Sequence, residues 1–243
     1  MKKIIPLVLG LAVCLWAADF WQTKPYTDWT DKEAQKMETN SPWSKLVPVS
    51  TGEGGATSGK SGRRGGNTSE IDGTGSSIGS GGGGGKNAGL QDVGGGTGSG
   101  GGTLNILVSW RTALAVRQAV AKEKYGAEAA TSPDAKKMVE EEQKIYAVMI
   151  SGIPGRALRA NDKMKETLLQ NTSLIVKGKD PIQATDMQTG GNEQRPVIVF
   201  IFPKTAPLSL DDKDVEFSTK LGSITVKQKF HLKDMVFNGK LDL

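Results

Sequence analysis

Cysteine, histidine and long apolar runs are what this 243-residue chain has least of. Its one cysteine, Cys14, rules out a disulfide framework and a cysteine-based metal site. Its one histidine, His231, is a general base only if a nucleophile or carboxylate is positioned beside it. Strand alternation points His231 away from Phe230 and Leu232, toward solvent. Aromatic residues make up 6% of the chain. The longest apolar stretch, Ile4 to Trp16, is shorter than the roughly 20 residues that a comfortable bilayer span needs.

That short stretch is informative because of its flanks. Lys2 and Lys3 precede it, Ala17 and Ala18 follow it, and the chain turns polar at Asp19. A charged start, a short apolar centre and a small-residue end are the build of a bacterial export signal over residues 1–18, cleaved near Ala17 or Ala18. Two of the five net positive charges, Lys2 and Lys3, then belong to the signal. The remaining balance implies a mixed-charge, solvated surface and no nucleic-acid partner. Leu11-Ala12-Val13-Cys14 resembles a degenerate lipobox, with Val13 where a small residue is usual. A mature chain lipidated at Cys14 is therefore the alternative, and membrane contact is expected only in that case.

Glycine is the opposite of scarce, at 32 residues concentrated between positions 49 and 102. Ile71, Ile78, Leu90 and Val93 are too sparse there to nucleate a core, so a flexible linker spanning about 40 Å is expected. Within it, Gly54, Gly59, Lys60 and Ser61 match the P-loop pattern. That chemistry needs backbone amides presented between a strand and a helix, and Gly62-Arg63-Arg64-Gly65-Gly66 cannot continue as a helix. The match is read as chance, and no cofactor is expected.

Residues 19–48 form a tryptophan-rich segment. Thr30 with Glu33 three positions on is a capping box, which predicts a helix from Asp31 to about Glu38, stopped at Asn40-Ser41-Pro42. Trp21, Trp29 and Trp43 flank this helix, with Tyr26 nearby, and so short a segment cannot bury three indoles alone. These four residues must dock on the chain's own C-terminal domain or on a protein or cell-envelope partner. Lys24-Pro25-Tyr26-Thr27-Asp28-Trp29, followed by Ser41-Pro42-Trp43, resembles the N-terminal signature of uncharacterised exported proteins of soil bacteria. The resemblance covers about a tenth of the chain and implies no activity, only that the segment is a unit.

Residues 103–243 read as an α+β domain: a mostly antiparallel sheet with helices on one face. The pattern predicts a strand at 104–108 and helices at 109–124, 134–144 and 156–170. Further strands are predicted at 145–150, 173–177, 181–187, 197–202, 215–221 and 223–232, with a possible last edge strand near the C-terminus. Val197 to Phe202 is an unbroken apolar run, expected to be buried on both faces. Asp211, Asp212 and Asp214 lack EF-hand spacing and read as a solvated loop, and Glu140-Glu141-Glu142 do not converge on one helix face, so no metal is expected. With no catalytic set in view, the expected function is a non-enzymatic cell-envelope binding or assembly module, periplasmic or secreted. The alternatives are an exported hydrolase with an unrecognised carboxylate pair and a lipoprotein anchored at Cys14.

Overall fold

The computed structural model describes residues 19–50, 103–155, 162–192 and 194–243. The signal with Cys14, Ala17 and Ala18, and the P-loop match at Gly54, Gly59, Lys60 and Ser61, lie outside the described residues.

The N-terminal segment begins with one helical turn, α1 (Phe20–Thr23), and then α2 (Asp31–Thr39). The capping box forms as the spacing predicts: Glu33 N donates to Thr30 Oγ1 at 3.2 Å, and Thr30 N donates to Glu33 Oε2 at 2.9 Å. After Trp43 the chain extends as β1 (Ser44–Ser50). The next described element, β2 (Thr103–Trp110), pairs with β1 antiparallel along its whole length, from Ser44 opposite Ser109 to Ser50 opposite Thr103. This corrects the sequence-based division in two ways. The boundary drawn at residue 48 falls inside a strand of the main sheet. Residues 51–102 do not string two units apart, because their two ends are hydrogen-bonded neighbours in one hairpin.

The remaining elements follow in order. They are α3 (Leu114–Tyr125), α4 (Pro133–Glu140), β3 (Ile145–Ser151), α5 (Asp162–Gln170), β4 (Ser173–Val176) and β5 (Ile182–Gln183). Then come β6 (Asp186–Gly191), β7 (Pro196–Pro203), β8 (Asp214–Leu221), β9 (Ile224–His231), β10 (Val236–Phe237) and β11 (Lys240–Leu241). The expected helix at 109–124 starts later than predicted, since β2 runs through Trp110 and the helix opens at Leu114. The strand expected at 181–187 is two strands, β5 and β6, that belong to different sheets.

All pairings among the described residues are antiparallel, so the mixed α+β class holds. There is more than the single sheet expected. One sheet has the order β1-β2-β3-β7-β6 and another β5-β4-β8-β9, with β10-β11 as a small hairpin. The two larger sheets pack face to face. Ile106, Val108 and Trp110, then Tyr146, Val148 and Ile150, then Ile198, Phe200 and Phe202 alternate inward from the first sheet. Val215 and Phe217 on β8 and Val226 and Phe230 on β9 meet them. Edge-to-face contacts of Trp110 with Phe230 (5.9 Å) and of Phe202 with Phe217 (6.4 Å) bridge the layers. Gly152 allows β3 to leave the sheet close to β2: its φ is +86°, and a Cβ there would stand 2.5 Å from Asn105 O.

Candidate functional site

Four places in the molecule concentrate aromatic, charged or apolar side chains: the tryptophan segment, the C-terminal cleft, the His231 pair and the outer face of the larger sheet.

The tryptophan segment docks on its own chain. Trp21, Trp29 and Trp43 are buried. Phe20, Trp21, Trp43 and Phe237 form a run of edge-to-face rings with centroids 5.0, 6.0 and 6.3 Å apart. Polar tips find backbone partners across the fold. Trp43 Nε1 donates to Asp242 O at 2.7 Å, Tyr26 Oη to Ala129 O at 3.0 Å and Gln22 Nε2 to Val236 O at 2.8 Å. Of the two docking surfaces open in the sequence, the intramolecular one is therefore occupied. The three indoles are core residues in this conformation.

The C-terminal cleft has a volume of about 800 Å³ and is lined by Leu114, Arg117, Glu141, Lys204, Phe237 and Asp242, among others. Its buried charges are engaged. Helix α3 has no side-chain cap from its own N-cap residue, Ala113. Asp242 supplies one from the far end of the chain: Leu114 N donates to its Oδ1 at 2.7 Å and Ala115 N to its Oδ2 at 2.9 Å. A carboxylate there satisfies two open N–H groups and meets the positive end of the helix dipole. Burial nevertheless pushes its pKa up. Arg117 Nη1 donates to the carbonyls of Met138, Val139 and Glu141 at the end of α4, and Arg117 Nε to Thr112 O. Lys204 Nζ donates to Gln143 O and Leu243 O and lies 4.8 Å above the Tyr146 ring. Asp242→Ala should lower stability by about 2 kcal/mol, the worth of charged hydrogen bonds at a cap, with Asp242→Asn intermediate. Urea denaturation measures it, and an unchanged midpoint would show that the cap is redundant.

His231 lies exposed at the end of β9 and pairs through Nδ1 with Asp214 Oδ1 at 2.5 Å. Asp212 is drawn into a capped turn by Ser209 N and pairs with Lys179 Nζ, which lowers its pKa. Asp211 remains exposed in that turn. Among the described residues no three His, Cys, Asp or Glu side chains come together as a metal site.

The fourth feature was missed in the sequence. The two larger sheets present different outer faces. On β8 and β9 the outward residues are Asp214, Glu216, Ser218, Lys220, Thr225, Lys227, Lys229 and His231. On the five-stranded sheet the outward positions of adjacent strands include Leu46, Leu107, Met149, Val197, Val199 and Ile201, interspersed with Ser151 and with the buried Ser44, Ser109 and Ala147. Leu46 is 57% exposed, and Leu107, Met149, Val197, Val199 and Ile201 are half-buried. The β7 run, expected to be buried on both faces, is interior by pairing; among the described residues its inward side chains are buried and its outward ones, Val197, Val199 and Ile201, are half-buried. Its unbroken hydrophobicity was the available signal, since a strand with one solvent face normally alternates with polar residues.

No protein-family model, characterised protein or solved structure is similar enough to this chain to show a shared family or fold.

Proposed function

We propose that this protein is an exported, non-enzymatic binding or assembly module of the cell envelope, and that it binds through the outer face of the five-stranded sheet. The export half of the reading rests on the signal-like pattern of residues 1–18. The binding half rests on one observation: an apolar patch of Leu46, Leu107, Met149, Val197, Val199 and Ile201 opposite a charged outer face on the other sheet. Apolar side chains gathered on one outer sheet face, with Leu46 57% exposed at its edge and the others half-buried, are the kind of surface that interaction sites use. The tryptophan residues, once candidates for partner contact, support the reading indirectly by closing the core behind that sheet. The long hairpin insertion at residues 51–102 leaves from Ser50 and returns at Thr103, on the two strands that carry Leu46 and Leu107.

The test is photocrosslinking in cells of the native host. A benzophenone side chain is introduced at Met149 in one variant and at Ser218, on the charged face, in another. Adducts are expected from position 149 alone. Equal labelling from both faces, or none from position 149 in the folded protein, would overturn the reading.

A further inference from the structure

We propose that this protein self-associates as a two-fold dimer, by antiparallel pairing of β6 with β6 of a second copy. A sheet edge carries backbone N–H and C=O groups that no neighbouring strand pairs, and folds commonly guard such edges. The two larger sheets end in four edge strands, β1, β6, β5 and β9. Three of them are guarded. On β1 the bond from Trp110 N to Trp43 O sets the alternation, so Pro48 stands where an N–H would face away from β2, and it has none to offer. On β9 the bond from Leu232 N to Lys213 O sets it, and the backbone groups that face away belong to Thr225, Lys227, Lys229 and His231. A second copy of β9 would bring these exposed lysines against each other. β5 is guarded by its length of two residues.

β6 carries no such guard. Across the turn into β7, Asn192 N donates to Arg195 O at 3.4 Å and Arg195 N to Asn192 O at 3.1 Å. Alternation from that pair turns the backbone of Gly190 and Gln188 toward β7 and that of Thr189 and Met187 away from it. Met187 N is met by its neighbour's Asp186 Oδ1 at 2.8 Å, whereas the Thr189 groups have no backbone partner among the described residues. Residues 187–192 read Met-Gln-Thr-Gly-Gly-Asn, with no charge and no proline. Gln188, Thr189, Gly190 and Gly191 are all exposed, so this end of the β6-β7 hairpin is accessible on both faces as well as along its edge.

Symmetry and charge choose the occupant. With a two-fold axis at Thr189, each Thr189 N–H donates to the Thr189 carbonyl of the other copy, and threonine opposite threonine is a favourable cross-strand pair. At one end of β6, Asp186 pairs with Lys165 on α5 at 2.8 Å and is half exposed. Beyond the other end, Arg195 is exposed and in no ion pair among the described residues. Antiparallel pairing sets Asp186 opposite Asn192 of the second copy, on the turn that carries Arg195. Opposite charges therefore approach at both ends of one self-complementary contact. Two five-stranded sheets become continuous across it. The contact is separate from the face around Met149, so its test and the crosslinking test succeed or fail independently.

Sedimentation velocity on the full chain should show a concentration-dependent monomer–dimer equilibrium. Thr189→Pro removes the N–H at the axis and spares the β6-β7 ladder, whose bonds come from the alternate residues. It should weaken the dimer roughly thirtyfold, the worth of two backbone hydrogen bonds lost together. A chain that stays monomeric at every concentration, or association that Thr189→Pro leaves unchanged, would overturn the proposal. A second readout does not depend on the proline variant folding. Thr189→Cys in a Cys14→Ser background carries a single thiol. Pairing at the axis holds the two Cα atoms about 5.5 Å apart, within reach of a disulfide. Mild oxidation should link two copies of Thr189→Cys and leave Ser218→Cys, on the outer face of β8, unlinked. No link from position 189, or an equal yield from both positions, overturns the pairing.

Discussion

Trp43→Ala should destabilise the protein by about 4 kcal/mol, the largest effect expected of any single substitution in the N-terminal segment. Three losses coincide at this side chain. It is fully buried, so its removal leaves a cavity where a large indole stood. It meets Trp21 and Phe237 edge-on, so the ring contacts that join the segment to the C-terminal hairpin are broken on both sides. Its Nε1 donor also leaves Asp242 O, and that residue's carboxylate caps α3. Urea denaturation at a pH near 6 measures the effect. Trp43→Phe keeps most of the volume and loses the donor, so it should fall well short of the alanine variant. A loss below about 1 kcal/mol in Trp43→Ala would mean that the segment rests on the domain without contributing to its stability. A double-mutant cycle with Asp242→Ala should show non-additivity, because both residues belong to one hydrogen-bonded cluster.

The second large effect has the opposite sign. Replacing residues 51–102 by a four-residue turn should stabilise the fold by about 2 kcal/mol. The ends of that stretch are held in register at Ser50 and Thr103. Forming the hairpin therefore closes a loop of about fifty residues, and the entropy of closure grows with the logarithm of loop length. The shortened protein should keep the β1-β2 pairing and show a higher urea midpoint with little change in slope. A destabilised product would mean that the excised residues make contacts that stabilise the native sheet. The same variant bears on the proposed binding face. Crosslinking from position 149 that survives the deletion assigns the contact to the sheet, and crosslinking that disappears assigns it to the insertion.

How far the sequence could be read depended on the range of the interaction involved. Helix α2 was legible because the capping box closes between Thr30 and Glu33, within one turn. The β8-β9 hairpin was legible because Leu221, Gly222 and Ile224 put a turn between two alternating strands. Helix α4 was legible from Ser132-Pro133, with Ser132 accepting from Ala135 N. The candidate site was legible only in part. The tryptophan residues drew notice because a short segment cannot bury them, yet nothing in their spacing chose between a partner and their own domain. The apolar run of β7 was visible, but the outer face it contributes to was not, because that face exists only when β1, β2, β3 and β7 lie side by side.

The chain's composition by itself determined its single thiol and single histidine, the signal-like start, the glycine-rich stretch and the local elements whose caps and turns lie within a few residues. Tertiary structure decided the rest. It made β1 the neighbour of β2 across residues 51–102, placed Asp242 at the start of a helix 128 residues away, and turned the tryptophan segment inward. The physical reason is the same in each case. A cap or a turn is stabilised by groups a few bonds apart, so residue order specifies it. A sheet face, a long-range cap and a docked indole gain their free energy from burial that appears only after distant segments have met.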